Sequence, residues 1–176
     1  MLVYILIFIT IILSLLLLSM VWPLDSPWSP WWATSDKVSR VICRLAKVKE
    51  GDVVYDLGCG EGKTLITAAK EFKARGVGVE IDPFRAFIAY CQVRLHGVSK
   101  NVTIQRKNFF AVDISEATVI YMYLIPKTIN KLKLKIIKEC KPGTRVVSFV
   151  YKIDLPLIAS DTKHEVYVYE IPKGKH

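Results

Sequence analysis

The stretch Asp56-Leu57-Gly58-Cys59-Gly60-Glu61-Gly62-Lys63, DLGCGEGK, follows the apolar run Val53-Val54-Tyr55 and precedes Leu65, Ala68, Ala69 and Phe72. The first run is a short strand, and the second group has the i, i+3, i+4, i+7 spacing of a helix face. A glycine turn between the two lets a ligand lie against backbone with no Cβ in the way, while the helix N-terminus points its N–H groups at it. Two cofactor types compete for such a turn. A dinucleotide fingerprint, G-x-G-x-x-G/A, needs a small third residue. Gly58 and Gly60 fit it, but the third position is Lys63, and the third glycine is Gly62, giving G-x-G-x-G. Asp56, just ahead of the turn, would repel a pyrophosphate and suits a cationic ligand.

Outward from the turn, strand and helix patterns alternate. Val38, Val41, Ile42 and Leu45 predict a helix that Thr34 or Ser35 could cap. Val77–Ile81 reads as a strand, Phe84–Leu95 as a helix, and Val102–Arg106 as a third strand. Val119–Leu124 is a fourth apolar run, and Ile125, Ile129, Leu132 and Ile136 mark a helix that Pro142-Gly143 ends. Arg145–Tyr151 and Val166–Ile171 are two more strands, while Leu155–Lys163 leaves little room for a helix. This alternation predicts an α/β fold: a Rossmann-like, doubly wound, mostly parallel sheet of six or seven strands, with ligands at the carboxyl ends of the strands. Glu80, ending the second strand, can accept both ribose hydroxyls, a role common to NAD and S-adenosyl-L-methionine sites. Asp56 and the glycine spacing favour S-adenosyl-L-methionine, which carries an ammonium and a sulfonium and has no phosphate. Lys63 speaks against an NAD-dependent oxidoreductase.

The amino-terminal segment is of another kind. Leu2–Val21 contains no charge, and Thr10, Ser14 and Ser19 alone interrupt its apolar run. About 20 residues at 1.5 Å each cross a hydrocarbon core of roughly 30 Å. The run lacks the basic n-region, short apolar core and small-residue cleavage site of a signal peptide, so residues 1–22 are expected to be a transmembrane anchor. Lys37, Arg40 and Arg44 follow it and nothing basic precedes it but the amino terminus, which puts the remainder on the cytoplasmic side. Residues 23–33 hold tryptophans interspersed with prolines and, with Trp22, read as an interfacial linker. The third division is 34–176.

Composition excludes several classes. The chain has 176 residues, 52% of them hydrophobic, ample for one core. Cys43, Cys59, Cys91 and Cys140 form no CxxC pair, and His96, His164 and His176 are scattered, so neither a disulfide framework nor a metal site is expected. The net charge of +9 gathers in Lys131, Lys133, Lys135, Lys138 and Lys141. Those lysines suit a solvated helix face or anionic lipid, and no interleaved aromatics argue for nucleic acid.

VVYDLGCGEGK (Val53–Lys63), GVGVEID (Gly76–Asp82), NFFAVDISEATV (Asn108–Val119) and KPGTRVVS (Lys141–Ser148) together resemble the class I, seven-β-strand methyltransferases. More narrowly, from about Thr34 onward, the chain resembles the archaeal broad-specificity protein lysine methyltransferases. More distantly it is similar to the anchored mitochondrial enzymes that methylate a lysine of the ATP synthase c-subunit or of the adenine nucleotide translocase. The anchor and the Trp-rich linker lie outside the archaeal pattern.

The resemblance implies that Asp56, Gly58, Gly60 and Gly62 line the methionine part of S-adenosyl-L-methionine, that Glu80, with Ile81 beside it, holds the ribose, and that Thr34 faces the cofactor. Asn108 with Phe109 falls where many class I enzymes place an acidic residue for the adenine amino group. An Asn can accept there too, although Asn108 also suits a plain turn, and Phe109 and Phe110 suit a core. At the substrate side Tyr121 and Tyr123 share one side of the fourth strand and could enclose a lysine stem, and the family carries an aromatic at the position of Tyr123. Asp113 is a candidate partner for the incoming ammonium or a solvated loop carboxylate. The N/D-P-P-Y/F signature of nucleobase and glutamine N-methyltransferases is missing after this strand.

The function expected is a membrane-anchored protein lysine methyltransferase acting on a protein partner, membrane-embedded ones included. Its active domain would face the cytoplasm, or lie at the mitochondrial inner membrane in a eukaryote, with the oligomeric state left open. Methylation of a lipid, quinone or other small molecule, and a cofactor-binding scaffold with no activity, are the alternatives.

Overall fold

The computed structural model describes residues 1–21 and 34–172. The linker expected over 23–33 lies outside the described residues.

Helix α1, Leu2–Val21, is a single 20-residue helix with no charged residue in its first or last turn. Its side chains are described from Met1 to Leu17 and are exposed throughout. Among the residues so described, no helix is long and apolar enough to cross a membrane. Of the anchor expected at residues 1–22, a helix over Leu2–Val21 is present, while the span read from its sequence is not carried by the described residues.

From Thr34 onward one sheet organises the chain. Helix α2 (Asp36–Leu45) is capped by Ser35, whose hydroxyl accepts from Val38 N, which leaves the hydroxyl of Thr34 for another role. There follow β1 (Val53–Leu57), α3 (Lys63–Phe72), β2 (Arg75–Glu80), α4 (Pro83–Leu95) and β3 (Val102–Arg106). A 3-10 turn at Phe109–Ala111 leads to β4 (Val119–Met122), α5 (Pro126–Glu139), β5 (Arg145–Phe149), β6 (Leu157–Asp161) and β7 (Val166–Glu170). Asp82 caps α4 by accepting from Arg85 N, and Pro83 and Pro126 start α4 and α5, where a missing N–H costs nothing. The sheet has seven strands in the order β3-β2-β1-β4-β5-β7-β6. All pairs from β3 to β5 are parallel, and β7 runs antiparallel between β5 and β6.

Of the six- and seven-strand alternatives the longer one holds. The seventh strand is β6, inside Leu155–Lys163, a segment whose sequence shows no strand pattern. It lies at the sheet edge with Leu157 and Ile158 exposed, so it lacks the alternation by which a half-buried strand is recognised. No helix intervenes between β5 and β6.

The core lies on both sides of the sheet. Val54, Val119, Tyr121 and Val147 face α2, α3 and the inner side of α4. Tyr55, Leu57, Ile120, Met122 and Val146 face α5 and the loop from Phe109 to Ala117. Burying a residue such as Leu57, Leu65 or Met122 contributes about 1.5–3 kcal/mol. At the amino ends of the strands the buried Asp52 draws three segments together. Its carboxylate accepts from Arg145 Nη2, from Thr118 Oγ1 at 2.8 Å and from Lys49 N at 2.8 Å. Arg145 Nη1 also donates to the carbonyls of Ala46 and Lys47, satisfying the end of α2.

Candidate active site at the carboxyl ends of the strands

Where β1 ends, Gly58, Gly60 and Gly62 take φ values of +93°, +52° and +76°, a left-handed path that side chains resist. The turn is held from β2: Gly58 N and Cys59 N donate to Val79 O at 2.8 and 3.1 Å, and Gly60 N donates to Glu80 Oε2 at 2.9 Å. Gly62 opens α3 with no side chain capping the first turn. DLGCGEGK is thus a glycine loop delivered to the sheet crest.

Asp56 is buried and lies between Gly78 of β2 and Tyr121 of β4 in the sheet register. Burial first, and the nearby Glu80 second, push its carboxyl well above the ordinary range. Glu80 is pushed up by burial, against the opposing pull of N–H groups from Asp82 and Gly60 and of Arg85. Its Oε1 accepts from Asp82 N at 3.0 Å and its Oε2 from Gly60 N, so each oxygen keeps a lone pair for a further donor. Ile81 is half-buried just beyond Glu80. These residues form a pair of desolvated carboxylates beside a loop in which every second residue lacks a side chain.

Thr34 and Tyr121 come together, their hydroxyls 2.9 Å apart. Ser39 Oγ lies 3.4 Å from Thr64 Oγ1, so hydroxyls also link α2 to α3. Tyr121 is only 3% exposed and its phenol is raised by burial. Of the two tyrosines read as a lysine-enclosing wall, Tyr121 is buried and bonded to Thr34, whereas Tyr123 is only half-buried. Tyr123 is half-buried, with its ring edge-on to Phe149 at 4.6 Å. Burial raises its phenol, with Tyr151 and Glu165 adding to the effect.

Asp113 is not brought to this place. It sits exposed on the loop that leads to the start of β4, where Thr118 N meets Val53 O, and its carboxylate accepts from Ser115 N at 2.9 Å. That bond holds its pKa down. Asn108 caps the 3-10 turn through Oδ1, which accepts from Phe110 N at 3.0 Å. Phe109 is buried in the core with its ring 4.9 Å from Phe110, and Phe110 is the one that keeps an open side. Phe149, Tyr151 and Glu165 were missed from the sequence. The D-P pair at Asp82-Pro83 was a legible cap signal, but nothing local marked the three others.

A cationic, phosphate-free ligand fits this arrangement. It would restore charge to the two buried carboxylates, lie on the glycine turn without a Cβ to displace, and find a ribose acceptor at Glu80. The fold and the site together define an S-adenosyl-L-methionine-dependent methyltransferase of the Rossmann-like kind.

Comparison with known proteins narrows this. Residues 56–156 match the family described as ANTKMT methyltransferase domain. A protein-lysine N-methyltransferase of Saccharolobus islandicus is 43% identical over 158 residues, 85% of this chain and 97% of that protein. Two lysine N-methyltransferases of Mus musculus, one for the ATP synthase c-subunit and one for the adenine nucleotide translocase, are 28% and 26% identical over 66% and 68% of this chain. The chain spans about half the length of the two mouse proteins (46% and 52%). Among solved structures, an RNA methyltransferase from Salinibacter ruber in complex with S-adenosyl-L-homocysteine superposes with a TM-score of 0.78 at 38% identity, covering 81% of this chain and 95% of that one. The chain belongs to the ANTKMT methyltransferase domain family.

Proposed function

We propose that the protein transfers methyl groups from S-adenosyl-L-methionine to lysine side chains of proteins. The observation that carries this reading is the half-buried aromatic pair Tyr123–Phe149 at the end of β4, next to the Asp56–Glu80 end of the sheet. The named activity of the Saccharolobus islandicus relative supports it.

When bound, the cofactor supplies a methyl group on a positively charged sulfur. The residues of this chain bind and orient. Asp56 and the glycine turn hold the methionine end, Glu80 the ribose, the Thr34–Tyr121 hydroxyl pair ties the segment before α2 to β4, and Ser39 ties α2 to Thr64 of α3. In-line transfer rewards alignment above all, so no dedicated base is required. The lysine must give up its proton, because a free amine with a pKa near 10.4 is mostly charged at neutral pH. The faces of Tyr123 and Phe149 strip water from the stem and so favour the neutral amine.

A second reading, methylation of RNA, comes from the Salinibacter ruber protein. The Tyr121-Met122-Tyr123-Leu124-Ile125-Pro126 segment lacks the N/D-P-P-Y/F signature and counts against it. We also read Leu2–Val21 as a membrane anchor, supported by its uncharged sequence and 20-residue helical length, with the active domain on the cytoplasmic side. Membrane proteins held in the same bilayer would then be natural substrates.

The test is incubation of the full chain with radiolabelled methyl donor and membranes of its source, followed by separation of protein, lipid and RNA. Label in protein, recovered as methyllysine on hydrolysis, is expected. Label confined to lipid or to RNA would overturn the lysine assignment. Release of the protein from membranes by alkaline carbonate would overturn the anchor alone.

A further inference from the structure

The strand expected over Arg145–Tyr151 stops early, at Phe149, and the reason lies in Val150. This residue has φ of +69°, in the region that β-branched side chains avoid. Tyr151 N donates to Phe149 O at 2.9 Å, which closes a three-residue γ-turn of the strained, positive-φ kind. The turn is held on three sides. Val150 N donates to Glu165 O at 2.8 Å, Ser148 Oγ donates to Tyr151 O, and Phe149 pairs with Val166 across β5 and β7. Glu165 itself has φ of +54°. Backbone strain that the surroundings enforce concentrates where a side chain must be aimed.

The strained turn is flanked by two aromatic side chains. Tyr151 is 37% exposed, and Phe149, two residues earlier, carries the edge contact to Tyr123. The Tyr123 phenol feels both the Tyr151 hydroxyl and the Glu165 carboxylate. Glu165 is exposed and makes no ion pair within 4.0 Å among the described residues.

Resting on the lysine reading above, we propose that Tyr151 and Glu165 form the mouth of the substrate-lysine slot whose inner walls are Tyr123 and Phe149. Glu165 draws the ammonium in, Tyr151 closes over the stem, and the Val150 turn holds both in place. Glu165 thereby takes the role expected of Asp113. An arriving lysine meets a carboxylate first and aromatic faces next, so its charge is attracted at the rim and disfavoured inside.

The experiment measures kcat and KM of the full chain for methyl transfer to poly-L-lysine, with S-adenosyl-L-homocysteine affinity measured by calorimetry in parallel. Tyr151→Ala is expected to raise KM about tenfold, and Tyr151→Phe to stay within about twofold of the parent. Glu165→Gln should raise KM several-fold and flatten its dependence on salt. Val150→Gly, which relieves the backbone strain, should raise KM while leaving the melting temperature unchanged or higher. S-adenosyl-L-homocysteine affinity should not move in any of the four.

KM unchanged in both Tyr151→Ala and Glu165→Gln would overturn the proposal while leaving the lysine reading standing. So would Tyr151→Phe behaving as Tyr151→Ala. Failure of the parent protein to label any protein lysine, in membranes or in poly-L-lysine, would remove the lysine reading and the slot with it.

Discussion

The two ends of the sheet each bury a carboxylate and treat it in opposite ways. At the amino ends, Asp52 receives Arg145, Thr118 and a backbone N–H, and the guanidinium goes on to satisfy two carbonyls behind α2. At the carboxyl ends, Asp56 and Glu80 are desolvated together, and Asp56 is shifted upward by burial and by the like charge of Glu80. The first end is internally complete. The second is destabilised on its own and improved by a cation from outside, as expected when binding residues are kept at some cost to the resting fold.

The largest effect should come from Asp56→Ala. On the proposed reading it removes the carboxylate that holds the methionine end of the cofactor, and methyl transfer should become undetectable. Calorimetry should show S-adenosyl-L-methionine binding weakened by about two orders of magnitude, the scale of a charged contact in a buried site. The melting temperature should hold or rise, since a desolvated charge is gone. A large drop in melting temperature with binding retained would erase the contrast between the two ends.

Arg145→Met tests the other end. It leaves Asp52 buried without its cation, which typically costs about 3–5 kcal/mol. Urea unfolding should register that loss while the folded fraction binds S-adenosyl-L-homocysteine about as the parent does. Weakened binding at full stability would be the opposite of what the fold implies.

How much of this contrast was visible in the sequence differs between the ends. DLGCGEGK and Glu80 were legible as a glycine turn at one strand end and a carboxylate at the next, because both are local patterns, and the structure places them side by side. The order of the elements likewise followed from strand–helix alternation. The Asp52–Arg145 pairing joins residues 93 positions apart, and no local pattern couples them. Between the two lie the aromatic residues: Tyr121 and Tyr123 share a strand side, yet one is buried and the other only half-buried. That depends on where Thr34 and Phe149 arrive in space. The place of Asp113 was hidden for a related reason, since a loop carboxylate looks alike at either end of a strand. The Val150 turn had no glycine to reveal it.

A smaller effect concerns pH. Both Asp56 and Glu80 have folded pKa values above their ordinary 3.8 and 4.5, so between those values and the raised ones the folded state holds more protons than the unfolded. The stability they contribute is present below about pH 4 and is lost as pH rises through the raised values, flattening once both are ionised. A cationic cofactor favours the ionised forms, so its binding should release protons and tighten with pH across the same window. Calorimetry in buffers of different ionisation enthalpy reads the proton count directly; binding with no proton release would deny the coupling.

The smallest change expected is that of Thr34→Val, which cuts the hydroxyl link to Tyr121. A single hydrogen bond of this kind is worth about 1 kcal/mol, so thermal unfolding should shift by a few degrees. Cofactor affinity should fall only several-fold. Loss as complete as with Asp56→Ala would mean that Thr34 is part of the binding machinery rather than its support.

Gly78 carries a consequence for how this chain can drift. A Cβ there would come 2.7 Å from Cys59 Sγ and 2.8 Å from both Ile104 Cδ1 and Leu65 Cδ1, and the residue pairs directly with Asp56. Its emptiness is the clearance that lets the glycine loop settle onto the sheet. In a lineage, position 78 is therefore not free to vary alone. A methyl group there would force the side-chain ends at 59, 65 and 104 to shift, so replacement at 78 should be accompanied by change at one or more of those positions.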